Sequence, residues 1–123
     1  MAPDAEPLLR DYLARSIPTA TVAGSVPSTM PDRLVTIERS GTWTSGQASP
    51  RVDRPVVTLR SWGRSMGDAR RLSREVAEAM LGITSEPYFT YCSENTRYQT
   101  QGEKGEPQYV STYVLVVCGN TTT

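Results

Sequence analysis

The chain has 123 residues, with 13 basic and 13 acidic side chains. That length sets one domain as the default and suffices to bury roughly two-thirds of the unfolded surface without staples; a formal charge of zero excludes a global field that would draw it to nucleic acid or membrane. No histidine is present, which removes the usual general base, the commonest metal ligand and every Ser-His or Cys-His nucleophile pair.

Cys92 and Cys118 cannot form a zinc site by themselves. No catalytic set, no metal and no cofactor is therefore expected. No basic segment followed by an apolar run opens the chain, and no run approaches the roughly 18 apolar residues of a membrane span. A cytosolic origin is the reading. Without an export signal, the glycosylation sequon at Asn120-Thr121-Thr122 is read as chance.

In chain order, "EPLLRDYLARSI" sets Leu8, Leu9, Tyr12, Leu13 and Ile17 on one stripe, with Pro7 suited to a first turn and Pro18 closing the helix. Residues 19–32 hold Gly24, Pro27, Pro31 and several hydroxyls, with only Val22 and Val26 singled out as apolar, and predict an extended connector across the surface. "RLVTIERS" and "PVVTLRSW" alternate with β-branched content and predict two strands. Between them lie about fourteen residues of turn formers, longer than a hairpin needs. Trp43 stands in that loop, where a large apolar ring either anchors an interface or folds back on its own domain.

"SWGRSMGDARR", residues 61–71, raises the possibility of a phosphate cradle. A Walker-type loop needs G-x-x-x-x-G-K-[S/T]. Here the spacing between Gly63 and Gly67 is one residue short, and Asp68 would repel the anion. The better reading is a strand-to-helix turn, since Ser65 and Asp68 fit the helix-start pattern. Ala69, Leu72, Val76, Ala77 and Met80 then fall on one helical face up to Gly82. The flanking arginines belong to the wet face, where Arg71 with Glu75 and Arg74 with Glu78 have i, i+4 spacing.

After Pro87, "YFTYCSENTRYQT" and "QYVSTYVLVVC" flank a Gly-rich polar tip and predict a hairpin with an apolar, central second strand. A hairpin symmetric about Gly105 would oppose Cys92 and Cys118 as two reduced, half-buried thiols, unless a bulge moved the register. The order α-β-β-α-β-β predicts an α+β two-layer sandwich: a mostly antiparallel four-stranded sheet with one long helix packed on it. Residues 1–123 form the single domain, with 1–4 and 119–123 frayed.

Charge is uneven along the chain. Residues 33–74 hold nine arginines against Glu38, Asp53 and Asp68, a net of +6, whereas the first 32 residues sum to −2 and residues 75–123 to −4. Such asymmetry suits a surface that meets its complement on another copy, as in head-to-tail rings, or else interleaves within the fold.

The "DRPVVTLRSWG" strand, the "DARRLSREVAEAML" helix and the "PYFTYCSENTRYQTQGEKGEPQYVSTYVLVV" hairpin, behind an N-terminal helix and an overlong loop, resemble the small tail terminator proteins of long-tailed bacteriophages, the minor tail protein U-like group. The resemblance covers most of residues 5–118. It implies a structural virion protein that forms a ring, commonly a hexamer of itself, on the tail tube, stops its polymerisation and offers the head-joining surface. The implied partners are the major tail tube protein and the head-tail connector protein, with DNA only passing through the ring and no membrane. The implied location is the head-proximal end of the tail, after assembly in the host bacterial cytoplasm. This family carries no fixed functional motif, so the candidate interface residues Trp43, Arg51, Asp53, Arg54 and Lys104 rest on loop position and residue type. Arg51 or Arg54 would pair with an acidic group on the next copy, whereas Asp53 could instead brace its own loop. The alternatives are a head-completion or neck connector protein, and a nucleic-acid-binding module stacking bases on Tyr88, Phe89, Tyr91 and Tyr98.

Overall fold

Residues 2–43 and 51–119 are described in this computed structural model. Helix α1 (Ala5–Ser16) begins where the Asp4 carboxylate accepts from the Glu6 amide at 3.2 Å and buries Ala5, Leu9, Tyr12 and Leu13. Such a side-chain acceptor satisfies one of the amides that a helix start leaves unpaired. Helix α2 (Met66–Leu81) is capped by Ser65, whose hydroxyl accepts from the Asp68 amide at 3.1 Å, and buries Ala69, Leu72, Val76 and Met80. Gly63 lies so close to this start that a Cβ would come within 2.6 Å of the Ala69 nitrogen. The glycine is there for a tight strand-to-helix turn, as its spacing implied.

Strands β2 (Leu34–Thr42), β4 (Pro55–Trp62), β5 (Phe89–Gln101) and β6 (Pro107–Cys118) match the four expected runs. Two more strands complete the sheet. β1 (Thr21–Ala23) pairs parallel to β2, and β3 (Val52–Asp53) pairs antiparallel to β6. The order is β1-β2-β4-β6, with β5 on the other side of β6. β3 and β4 share one register against β6, Val52 opposite Cys118 and Val56 opposite Val114, so they form one line broken at Arg54.

The α+β two-layer description stands, but the plain four-stranded antiparallel sheet does not. The sheet is mixed, because part of the expected surface connector is drawn in as β1: the Thr21 amide donates to the Arg33 carbonyl at 2.9 Å. Nor is a single helix packed on it. Leu9 and Leu13 of α1 join Leu72 and Val76 of α2 in one core over Val35, Ile37, Val57, Leu59, Leu115 and Val117. These sheet residues are odd-numbered in register-matched strands and so share a face. Tyr12 ties the helices together, its hydroxyl donating to the Ala79 carbonyl at 2.5 Å.

The hairpin is not symmetric. Register shifts on β5 between Phe89 and Tyr91 and between Glu94 and Thr96 place Cys92 opposite Leu115, while Cys118 lies opposite Val52. Both cysteines are free and half-buried. Burial pushes the Cys92 thiol up to about 11, with the nearby Glu94 adding to the shift. Asp4 caps α1, and the Gly119 amide donates to the Arg51 carbonyl at 2.6 Å. Those two ends of the chain are held; residues 1 and 120–123, expected to fray, lie outside the described residues together with the sequon.

Candidate interaction surfaces

The helices cover one face of the sheet, and the candidate interface residues fall at its two ends: Trp43 and Arg54 lie on the uncovered face beside Tyr91, whereas Asp53, in register with Val117, lies on the helix face. Because β6 runs from the hairpin tip toward β3, Trp43, Arg51, Asp53 and Arg54 gather at one end and Lys104 at the other. The five do not form one site. Residues 44–50, the remainder of the long loop, lie outside the described residues.

At the first end, the Trp43 ring is half-buried on its own sheet, with its Nε1–H donating to the Leu115 carbonyl at 2.8 Å and its ring centroid 6.1 Å from that of Tyr91. The Arg54 guanidinium lies 5.8 Å from the Trp43 centroid, in cation–π range. Asp53 is held by Arg39 through two parallel bonds, Nη1 to Oδ2 at 2.6 Å and Nη2 to Oδ1 at 2.8 Å. This fork holds the Asp53 carboxyl below its usual range and raises the Arg39 guanidinium. Asp53 thus braces its own loop. Arg51 is exposed, and its carbonyl is used in pairing with Gly119.

The uneven charge of the sequence is answered only in part within the chain. Arg33 pairs with Glu75, Arg39 with Asp53, Arg64 with Asp32 and Arg71 with Asp68. Glu75 is taken by Arg33 from the connector, and Arg71 turns back one helical turn to Asp68, so the expected Arg71–Glu75 pair does not form. Four of the nine arginines in the basic segment pair with carboxylates of the same fold, but Asp53 and Asp68 are already counted in its net of +6, so only Glu75 and Asp32 offset the excess.

The proposed aromatic platform is divided. Tyr91 and Tyr98 are exposed, with Tyr91 opposite Val116 and Tyr98 opposite Val110. Phe89 is buried and Tyr88 packs against the core, so neither offers a free ring face.

At the second end the Lys104 side chain is exposed, and its amide donates to Glu106 Oε1 at 2.7 Å. It borders an open groove of about 670 Å³ between the connector and the hairpin tip. Val26 and Met30 form one wall; Arg60, Trp62 and Gln108 lie on the sheet side. The Trp62 indole donates to Thr36 Oγ1 at 3.3 Å. Sequence reasoning selected Lys104 alone from this group. The available signal was Gln108, a polar residue opening a strand otherwise rich in Val and Tyr. Among the described residues there is no cluster of side chains able to hold a metal, and no helix is long and apolar enough to cross a membrane.

These features define an α+β domain with a mixed sheet, helices on one face only, and a second face left for contact at both ends. No protein-family model matches the sequence, and none of the curated proteins matches it. Among solved structures, the chain is similar to that of bacteriophage SPP1 gp17 protein, with a TM-score of 0.53 and 16% identity, covering 96% of this chain and 91% of that one. At that identity the likeness is one of fold, and it runs nearly end to end in both proteins.

Proposed function

We propose that this chain is a structural protein of a tailed-phage virion, which closes the tail tube with a ring of six copies, stops its polymerisation and presents the head-joining surface. The observation that carries the reading is the near full-length likeness in fold to a phage protein, bacteriophage SPP1 gp17. It agrees with the resemblance in sequence organisation to the tail terminators. A closed ring is built from heterologous contacts, in which one patch meets a different patch on the next copy. The second sheet face supplies two such patches, one at each end. Arg51 and Arg54 are the candidates for reaching a neighbour at the Trp43 end; Asp53 and the Trp43 indole N–H serve their own fold. No catalytic step is assigned, and DNA only passes through the ring. The assembled protein would lie at the head-proximal end of the tail, its partners being itself, the tail tube protein and the connector.

Electron microscopy of particles from a phage whose reading frame for this protein is interrupted tests the proposal. Overlong, headless tails of irregular length are expected. Tails of normal length beside filled heads would instead assign the protein to the neck, and unaltered virions would end the virion reading.

A further inference from the structure

The groove beside Lys104 holds two polar groups that the fold leaves unanswered. Gln108 is only 4% exposed, and its Oε1 is buried with no hydrogen-bond partner. Buried acceptors are nearly always satisfied, so such an atom on the wall of an open groove asks for a donor from outside. Arg60 projects from β4 on the same face, between Thr36 of β2 and Val110 of β6. None of the ion pairs among the described residues includes it. Glu38, diagonal to it on β2, pairs with Thr58 in register and stays beyond ion-pair distance.

The walls are preformed. Gly102 approaches Trp62 so closely that a Cβ would sit 2.8 Å from the indole Cζ3. The tip is fixed by the Gly102 amide to the Glu106 carbonyl and the Gly105 amide to the Gly102 carbonyl, both at 2.9 Å. Across from it, Val26 and Met30 remain 47% and 37% exposed. The volume, about 670 Å³, lies in the range of ligand-binding clefts.

We infer that this groove binds an extended segment of a partner protein bearing a single carboxylate, through that carboxylate on Arg60, a backbone N–H on Gln108 Oε1 and an apolar side chain against Val26 and Met30. A polypeptide is the ligand that carries all three at adjacent positions. Nucleic acid fits less well, because Glu103 and Glu106 stand on the rim and would repel a polyanion. A single carboxylate passes between them toward Arg60, with Lys104 beside its entry. This assignment goes beyond the ring proposal, and its test reads no assembly step.

The test titrates the isotope-labelled full chain with the blocked peptide acetyl-Ala-Leu-Asp-Val-Ala-amide and with its Asn counterpart, followed by NMR. The Asp peptide is expected to shift the Gln108 side-chain amide, the Trp62 indole and the Arg60 Nε signals, and to bind about fivefold more tightly than the Asn peptide. Arg60→Gln should abolish that preference and Arg60→Lys should keep most of it. Equal binding of the two peptides by the unaltered chain, shifts mapping away from the groove, or no binding at about millimolar peptide would overturn the inference. Tighter binding of an octathymidylate at the same signals would overturn it in favour of nucleic acid.

Discussion

The indole of Trp43 takes the place of the backbone amide that Pro55 lacks opposite Leu115. Gly119 donates to the Arg51 carbonyl, which marks the pairing of residues 51 and 119 as the hydrogen-bonded kind. The register is unbroken from Val52 opposite Cys118 to Val56 opposite Val114. By the two-residue alternation, position 55 should then donate to the Leu115 carbonyl, and proline has no N–H. The Trp43 Nε1–H arrives there instead, at 2.8 Å. Trp43→Phe should therefore lower stability by about 1–2 kcal/mol by stranding that carbonyl. Pro55→Ala in the same chain restores a ladder donor, so the pair should cost less than the sum of the single changes, measured by urea unfolding. Simple additivity would remove the link between the two residues. The sequence left Trp43 either anchoring an interface or folding back on its own domain; the indole N–H serves its own fold, so a stability loss is expected whether or not the ring also meets a neighbour.

How much could be read beforehand depended on how local the cause was. Helix α2 was legible because its apolar spacing, the Ser65 cap and the Gly63 close approach all lie between Gly63 and Gly82, within one supersecondary unit. The four long strands announced themselves by alternation. β1 did not, because three residues carry no period and its pairing is set by a strand reached only after the connector. The cysteine register failed for a similar reason: two shifts on β5 displace the hairpin, and nothing in "FTYCSENTRYQ" marks them. Arg33 with Glu75 and Trp43 with Leu115 join residues distant in sequence, so spacing alone could not place those side chains. The groove escaped because Gln108 gains its meaning only from burial, while Lys104 beside it stood out as the chain's lone lysine.

Arg39 and Asp53 form a fork that should be visible in the acid limb of stability. Asp53 has a lowered carboxyl, first through its hydrogen bonds from Arg39. A group depressed on folding contributes fully above its unfolded value, near 3.9, and loses that contribution as pH falls through the lower folded value. Asp53→Asn should cost about 1 kcal/mol at neutral pH and little at about pH 2. Thermal melts from pH 7 down to pH 2 check this; equal losses at both ends would mean that the carboxylate charge plays no part.

Tyr12 and Gly82 meet at the C-terminal end of α2. A Cβ on Gly82 would lie 3.3 Å from the Tyr12 hydroxyl, tighter than most such contacts, while that hydroxyl donates to the Ala79 carbonyl at 2.5 Å. Gly82 has φ −94°, so its backbone would accept an alanine and the limit is space. Tyr12→Phe should cost about 1 kcal/mol and speed amide exchange in the last turn of α2. Gly82→Ala should cost less in the Tyr12→Phe background than alone, since the hydroxyl it crowds is gone. Calorimetry on the four proteins settles the comparison, and an undiminished Gly82→Ala cost would place the crowding elsewhere.

Cys92 and Cys118 should remain separate thiols under air. Cys92 lies opposite Leu115 and Cys118 is three positions farther along β6. That offset is roughly 10 Å along a strand, beyond the Cα separation a disulfide spans. The Cys92 thiol, pushed up to about 11 chiefly by burial, carries little thiolate at neutral pH. Iodoacetamide at about pH 8 should label Cys92 in the folded chain roughly tenfold or more slowly than after unfolding in urea, where both cysteines react. Peptide mass mapping over time distinguishes the sites. Rapid native labelling of Cys92 would contradict its burial, and an unfolded mass two units low with no label taken up would contradict the register shifts that part the two cysteines.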